Sequence, residues 1–258
     1  MNVLDSLKLK GKNAVVTGAA GRYTKQIVEA LAEAGAKVFA ADYDLKALDV
    51  KIKEFHQAGL DVVPVQFDQG SEESICNLFK EVTASSTKID ILVNSAVTRP
   101  MKDWDSPAED FAKSMQVNAT GIFIITRIFG DHMAANGGGS IINIASIQGN
   151  VGPDYTLYEG LGWGMPADYF FHKGGMIQLT KYAASKLGPK GVRVNAISPG
   201  GFAANQGEPF TKRYNARTFL GRLANDEDLK GIIVLLASDA SAYITGANIP
   251  VDGGYMAK

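Results

Sequence analysis

Asn13-Ala14-Val15-Val16-Thr17-Gly18-Ala19-Ala20-Gly21-Arg22-Tyr23-Thr24 is the stretch on which the fold turns. Residues 13–17 form a short apolar run of the kind that fits a buried strand. The glycines open a turn, and residues 22–34 then carry apolar side chains at helical spacing. A glycine turn between strand and helix lets the backbone approach a phosphate at the helix N-terminus. A tight turn without any ligand would also use glycine. The next apolar run ends at Asp42, 24 residues beyond Gly18. That is near the offset at which a carboxylate meets an adenosine ribose in a dinucleotide-binding βαβ unit. The alternative for Asp42 is a capping aspartate, although Asp44 is close enough to fill that role.

The same alternation continues outward. Residues 37–41, 62–67, 89–93, 140–144 and 192–197 are apolar runs of strand length, and 248–251 is a shorter one. Helical patterns occupy 45–58, 72–83, 107–134, 167–187 and 226–238. This order implies right-handed βαβ crossovers. The expected fold class is α/β: one doubly wound parallel sheet with helices on both faces, spanning residues 1–258 as a single domain. Ligands of such sheets bind beyond the carboxyl ends of the strands. The residues that follow each apolar run are therefore the functional candidates.

Composition narrows the partners. The 26 basic and 27 acidic residues leave a net charge of −1, which gives no reason to expect nucleic acid or an anionic membrane. The one cysteine, Cys76, excludes a disulfide within the chain and a cysteine-rich zinc site. The 3 histidines show no metal-ligand spacing, so no metal is expected. No apolar run approaches the ~20 residues that span a bilayer. Residues 1–12 lack the apolar core of a signal peptide, so a cytoplasmic setting is expected.

Tyr169 and Lys173 stand four apart in Tyr169-Phe170-Phe171-His172-Lys173, which puts both on one helix face. Ser146 lies just past the fifth apolar run, and Asn118 lies in the helical stretch after the fourth. With the glycine turn, these residues resemble the short-chain dehydrogenase/reductase family from about Leu9 to Gly254. Asn118, Ser146, Tyr169 and Lys173 match its catalytic residues in order and context. The family's usual T-G-x-x-x-G-x-G is not kept, because Arg22 and Thr24 stand where two glycines would fall. In the variant T-G-x-x-G-x-x-G, Thr17, Gly18 and Gly21 match and only Thr24 departs. Asn94-Ser95-Ala96-Val97 resembles the family's N-N-A-G, with departures at Ser95 and Val97. Asp68 stands where relatives contact adenine, and Pro199-Gly200 where they flank the nicotinamide. The resemblance implies a cofactor set of Thr17, Gly18, Gly21, Arg22, Tyr23, Asp42, Asp68, Asn94, Ala96, Tyr169, Lys173, Pro199 and Gly200. Arg22 either contacts a cofactor phosphate or points into solvent, and Asn94 alone could be a turn residue. Thr245-Gly246 and Val251-Asp252-Gly253-Gly254 match as well. The resemblance implies a homodimer or homotetramer built on the long helices 107–134 and 167–187.

The implied reaction is hydride transfer between a secondary alcohol or ketone and NAD(H). The Asp42 carboxylate would accept hydrogen bonds from ribose hydroxyls. It would repel the 2′-phosphate of NADP, which carries about −1.5 to −2 charge, so NADP is disfavoured. A free tyrosine has a pKa of about 10, and a drop of ~3 units requires ~4 kcal/mol. One ammonium about 4 Å away supplies ~4 kcal/mol at an effective dielectric of 20. Tyr169 would thus exchange the proton with the substrate oxygen, with Ser146 hydrogen-bonded to that oxygen. By resemblance, Lys173 also holds the nicotinamide ribose, and Asn118 holds a water of a proton relay. The rival tyrosines Tyr155 and Tyr158 have Glu159 and Gly162 four residues on, not lysine. His172 is read as structural or exposed.

Two segments carry the substrate question. Residues 149–167 form a long insert with Tyr155, Tyr158, Trp163 and Met165. Loops of that length are usually functional, and this one should cover the catalytic residues or meet another subunit. Residues 201–220 read as a polar lid with Asn205, Gln206, Glu208, Lys212, Arg213 and Asn215. Ser146, Trp163, Tyr169 and Phe202 are the expected substrate contacts, and a polyol, sugar or sugar derivative is the expected substrate. An epimerase or dehydratase using NAD transiently, and a non-catalytic dinucleotide sensor, are the alternatives.

Overall fold

The computed structural model describes residues 2–204 and 206–257, so Asn205 of the expected lid lies outside the described residues. The strands are β1 (Asn13–Thr17), β2 (Lys37–Asp42), β3 (Val62–Gln66), β4 (Ile91–Asn94), β5 (Gly139–Ile144), β6 (Val192–Pro199) and β7 (Asn248–Val251). They form one sheet in the order β3-β2-β1-β4-β5-β6-β7, with every neighbouring pair parallel. The helices are α1 (Val3–Ser6), α2 (Arg22–Glu33), α3 (Leu45–Gln57), α4 (Glu72–Ser85), α5 (Ala108–Met115), α6 (Ile122–Ala135), α7 (Ala167–Leu187), α8 (Glu208–Asn215) and α9 (Lys230–Ala237). Among the described residues, no helix is long and apolar enough to cross a membrane.

Strand periodicity builds the two faces. Ala14 and Val16 point into the core shared with α2, α3 and α9. Val15 between them points into the core shared with α4, α6 and α7. Both faces are covered, which is why the strands read as unbroken apolar runs and not as alternating ones. The chain order reverses between β1 and β4, so a crevice opens beyond their carboxyl ends.

Three expectations are revised. The expected single helix over 107–134 is two helices, α5 and α6, joined by a π-helical segment, Gln116–Gly121. A Cβ on Gly121 would lie 2.1 Å from the Gln69 carbonyl oxygen, and Gln69 Nε2 donates to Val117 O at 3.0 Å. The widened turn accommodates the loop after β3, a tertiary contact that apolar spacing does not encode. The expected lid contains a helix, α8, held by buried Phe210 and Tyr214 at i and i+4. Helix α9 begins at Lys230 and not near 226, because Asp228 turns back to pair with Arg222 at 2.6 and 2.8 Å.

Candidate active site

The first turn is latched to β4. Thr17 Oγ1 accepts from the backbone N–H groups of Ser95 (3.1 Å) and Ala96 (3.2 Å). Gly18 has φ +69°, and a Cβ there would stand 2.6 Å from Ala96 Cα. Gly21 caps α2 without a side-chain acceptor, and the helix has no acidic residue in its first turn. Its leading N–H groups are therefore open to an anion. Asp42 Oδ2 accepts from Ala20 N at 2.8 Å, and Oδ1 accepts from Asp44 N at 2.9 Å. The carboxylate thus braces the turn and stands at its rim, while Asp44 caps α3 by accepting from Ala47 N at 3.0 Å. A cradle that a Cβ would fill, an open helix N-terminus and a carboxylate beside them fit an adenine dinucleotide.

Two of the departures from the family pattern meet. Thr24 Oγ1 and Ser95 Oγ are 2.9 Å apart, with Thr24 buried. A hydroxyl pair replaces the direct approach of helix to strand that a glycine would permit, and the turn keeps its shape. Tyr23 donates to Gly200 O at 3.2 Å, and burial raises its pKa so that the proton stays. Phe202, the expected substrate contact, packs against the first turn, its ring 4.5 Å from that of Tyr23 and 5.5 Å from the Arg22 guanidinium.

Two other cofactor candidates have structural duties. Asp68 Oδ1 accepts from Gly70 N at 2.8 Å and closes its own turn. Asn94 is fully buried, and its amide donates to Asn143 Oδ1 at 2.8 Å and Thr126 Oγ1 at 3.3 Å. Asn143 donates in turn to Thr180 Oγ1 at 2.9 Å. The Asn94 side chain thus ties β4 to β5 and α6 beneath the crevice, and Asn143 carries the network on to α7. Pro199 ends β6, and Gly200 N donates to Val251 O at 3.0 Å.

Helix α7 carries the expected catalytic pair. Lys173 is only 4% exposed and donates to Ile144 O at 2.5 Å. Ser146 lies two residues past β5, and its Oγ accepts from Gln148 N at 3.2 Å. The short turn Ile147–Gly149 lies flat on α7, because a Cβ on Gly149 would meet the Lys173 backbone at 2.7 Å. That contact holds the turn that follows Ser146 against the backbone of Lys173. Asn118, in the π-helical segment, accepts from Thr98 N at 3.0 Å and donates to Thr98 O at 2.8 Å and Ser114 Oγ at 3.0 Å. Its side chain pins the loop after β4.

Sequence reading missed Arg99 on that loop. Its guanidinium lies 4.5 Å from the Tyr169 ring centroid, and Lys173 Nζ lies 5.7 Å from the same centroid. A lone arginine outside any motif gave no signal. His172 is buried, 2% exposed, with its ring edge-on to Tyr169 at 5.2 Å, so the exposed alternative is removed. Burial, then the charges of Lys173 and Arg99, push its pKa down to about 3, and it is neutral at neutral pH. Asp168 beside Tyr169 is also buried, and neither of its carboxylate oxygens has a hydrogen-bond partner among the described residues.

The insert packs on the lid. Trp163 lies 5.4 Å from Phe210 and 6.4 Å from Tyr158, centroid to centroid. Arg213 donates to Glu159 O at 2.6 Å, and Arg217 pairs with Asp154 at 2.5 Å. Ile147, next to Ser146, joins Leu157, Phe210 and Tyr214 in one buried cluster.

Burial, then Arg99, lowers the Lys173 pKa to about 7 from its usual 10.5. Between those values the unfolded chain holds the proton and the folded chain has released it, so stability rises with pH through that window. Below about pH 7 both states are protonated and the full cost of burying the charge is present. Lys173→Met should therefore stabilise the unliganded protein most below about pH 7, with the gain fading towards 10.5. Urea unfolding across this range checks it, and a gain that grows with pH contradicts it.

A parallel sheet with a glycine turn at its reversal point and a Tyr-Lys pair beyond β5 defines an NAD(P)-binding oxidoreductase. The chain belongs to the short-chain dehydrogenase/reductase family: the family model described as enoyl-(acyl carrier protein) reductase matches residues 18–256. It is similar to the 3-oxoacyl-acyl-carrier-protein reductase FabG of Thermotoga maritima, 32% identical over 97% of this chain and 100% of that protein. It is 34% identical to the 2-dehydro-3-deoxy-D-gluconate 5-dehydrogenase of Pseudoalteromonas atlantica, over 99% and 100% of the two chains. A solved structure of a gluconate 5-dehydrogenase from Burkholderia cenocepacia, in complex with NADP and tartrate, superposes with a TM-score of 0.89 at 28% identity, covering 100% of both chains. The chain is an enzyme that acts on CH–OH groups and interconverts alcohol and ketone.

Proposed function

We propose that this enzyme is an NAD(H)-dependent dehydrogenase of a polyol, sugar or sugar derivative. The observation that carries the reading is the buried Lys173 one turn beyond Tyr169, with the Ser146 turn pressed onto the same helix by Gly149. Thr17, Gly18, Gly21, Arg22 and Asp42 would hold the dinucleotide, which supplies the hydride acceptor when bound. Tyr169 takes the proton from the substrate hydroxyl and returns it in the reverse direction. Ser146 hydrogen-bonds the same oxygen and fixes its distance from Tyr169. The Lys173 ammonium faces the Tyr169 ring and favours the deprotonated oxygen. Insert and lid, joined through Trp163 and Phe210, exclude water from the reacting carbon.

The Burkholderia relative holds NADP. In this chain Asp42 argues for NAD(H), since its carboxylate stands at the rim of the first turn. Asp42→Ala should narrow the preference for NADH over NADPH by about tenfold or more, through loss of the like-charge repulsion. Separate kcat/KM values for the two cofactors check this, and an unchanged ratio removes Asp42 as the selector. The exposed Phe123 on α6, with Phe171 and Tyr182 on α7, suits a homodimer or homotetramer contact in the cytoplasm. The reading as a whole is tested by supplying NAD and a polyol panel. Net NADH formation in step with ketone supports it, whereas product without net NADH favours an epimerase or dehydratase.

A further inference from the structure

Arg99 occupies an unusual position for a charged side chain. Among the other arginines, Arg127, Arg217 and Arg222 face carboxylates. Arg193 and Arg213 donate to backbone carbonyls. Arg22 lies over Phe202 at the cofactor turn. Arg99 is exposed and has no hydrogen-bond or ion-pair partner among the described residues, yet its guanidinium is 4.5 Å from the catalytic Tyr169 ring. It is not there through a mobile loop. The neighbouring Thr98 is gripped through both its N–H and its carbonyl by Asn118, at 3.0 and 2.8 Å. Asn118 is itself buried and bonded to Ser114. The guanidinium is thus carried by a backbone fixed from beneath.

Arg99 carries the exposed positive charge of this corner, since Lys173 is buried with its pKa lowered to about 7 and His172 is neutral. Asp168 is the nearest acid in sequence to Tyr169, but it makes no ion pair with Arg99 and is buried. A free guanidinium fork at the mouth of such a site matches the two oxygens of a carboxylate.

We propose that Arg99 is a specificity-determining residue that receives the carboxylate of the substrate, so that the enzyme acts on a polyhydroxy carboxylic acid or its keto acid. The proposal rests on the dehydrogenase reading above and refines its substrate class. With the carboxylate on Arg99, a secondary hydroxyl further along the chain is presented to Tyr169 and Ser146. The acid group sets the register and does not react. A phosphate ester is the weaker match, because one fork provides few of the donors that a dianion takes up.

The test pairs each aldonic acid with the alditol of the same hydroxyl configuration, for example D-gluconate with D-glucitol. Both are assayed with NAD by NADH formation, in the wild type, Arg99→Gln and Arg99→Lys. Wild type should favour the acid in kcat/KM by at least about tenfold. Arg99→Gln should bring the acid-to-alditol ratio down by roughly a hundredfold, with the loss in KM, and Arg99→Lys should be intermediate. Equal preference in the wild type overturns the proposal. So does an equal loss on both members of each pair, which would mark Arg99 as acting on Tyr169. A wild type that prefers D-glucitol 6-phosphate to gluconate overturns the carboxylate assignment. If no pair is turned over, the dehydrogenase reading fails, and calorimetric titration of gluconate and glucitol into protein saturated with NADH judges Arg99 alone. Binding of the acid only, lost in Arg99→Gln, supports the carboxylate site; no binding of the acid overturns it.

Discussion

Tyr169→Phe is expected to lower kcat by about 10²–10⁴-fold, the range that a positioned general acid-base contributes. The substitution removes one hydroxyl and leaves the ring. The edge-on contact with His172 at 5.2 Å and the Arg99 guanidinium at 4.5 Å both depend on the ring, so the local packing is retained. Helix α7 is unaffected, since the backbone bond of residue 169 to Pro166 O does not involve the side chain. Dinucleotide binding should change little, because Thr17, Gly18 and Asp42 stand on β1, its turn and β2. The expected pattern is lost turnover with an NADH affinity close to wild type, read by steady-state kinetics and by nicotinamide fluorescence. Turnover near wild type would mean that another group moves the proton. Parallel loss of NADH binding would mean that the ring shapes the cofactor site.

The second large effect is expected at Gly18. An alanine there faces two penalties. At φ +69° an L side chain costs roughly 1–2 kcal/mol. The new Cβ would also lie 2.6 Å from Ala96 Cα and 2.8 Å from Ala96 N, both backbone atoms that cannot swing aside. The loop after β4 must move, and the Thr17 bonds to Ser95 and Ala96 go with it. Gly18→Ala should thus weaken NADH by about a hundredfold or more, near 3 kcal/mol, and lower the melting temperature. Gly59→Ala is the control: its φ of +75° carries the same conformational penalty, but nothing lies within 4 Å of its Cβ. It should lose some stability and bind NADH normally. If the two variants behave alike, close approach at Gly18 is not what the turn requires.

The sheet was legible because buried parallel strands are apolar throughout and helices between them keep their own period. Every strand of the sheet was anticipated within a few residues, as was α7 from Ala167 to Leu187. The elements misread are those set by distant contacts. The π-helical break needs Gln69 against Gly121, which are far apart in sequence. Helix α8 forms because Phe210 and Tyr214 find the insert and the C-terminal Tyr255, and a polar stretch read alone looks like a loop. At the candidate site, motif spacing singled out Tyr169, Lys173, Ser146 and Asn118, but it was silent on mutual burial. Lys173 is a long cationic side chain, and nothing local requires it to be buried on Ile144 O. Phe202 packs its ring against Tyr23, a contact between residues 179 apart that no local pattern announces. Thr24 and Ser95 looked like two separate departures and are one hydrogen-bonded pair. Arg99 belongs to no motif, and only the folded chain brings it to Tyr169.

The central claim is that the altered turn, Thr17-Gly18-Ala19-Ala20-Gly21-Arg22-Tyr23-Thr24, still holds a dinucleotide and that Asp42 selects NAD(H). The most direct test is to titrate the wild-type protein with NADH and with NADPH separately, following nicotinamide fluorescence. Saturable NADH binding, with NADPH weaker by about tenfold or more, is the predicted result. Failure to bind either cofactor would contradict the account, since Arg22 and Thr24 would then have closed the site that Tyr169 and Lys173 need.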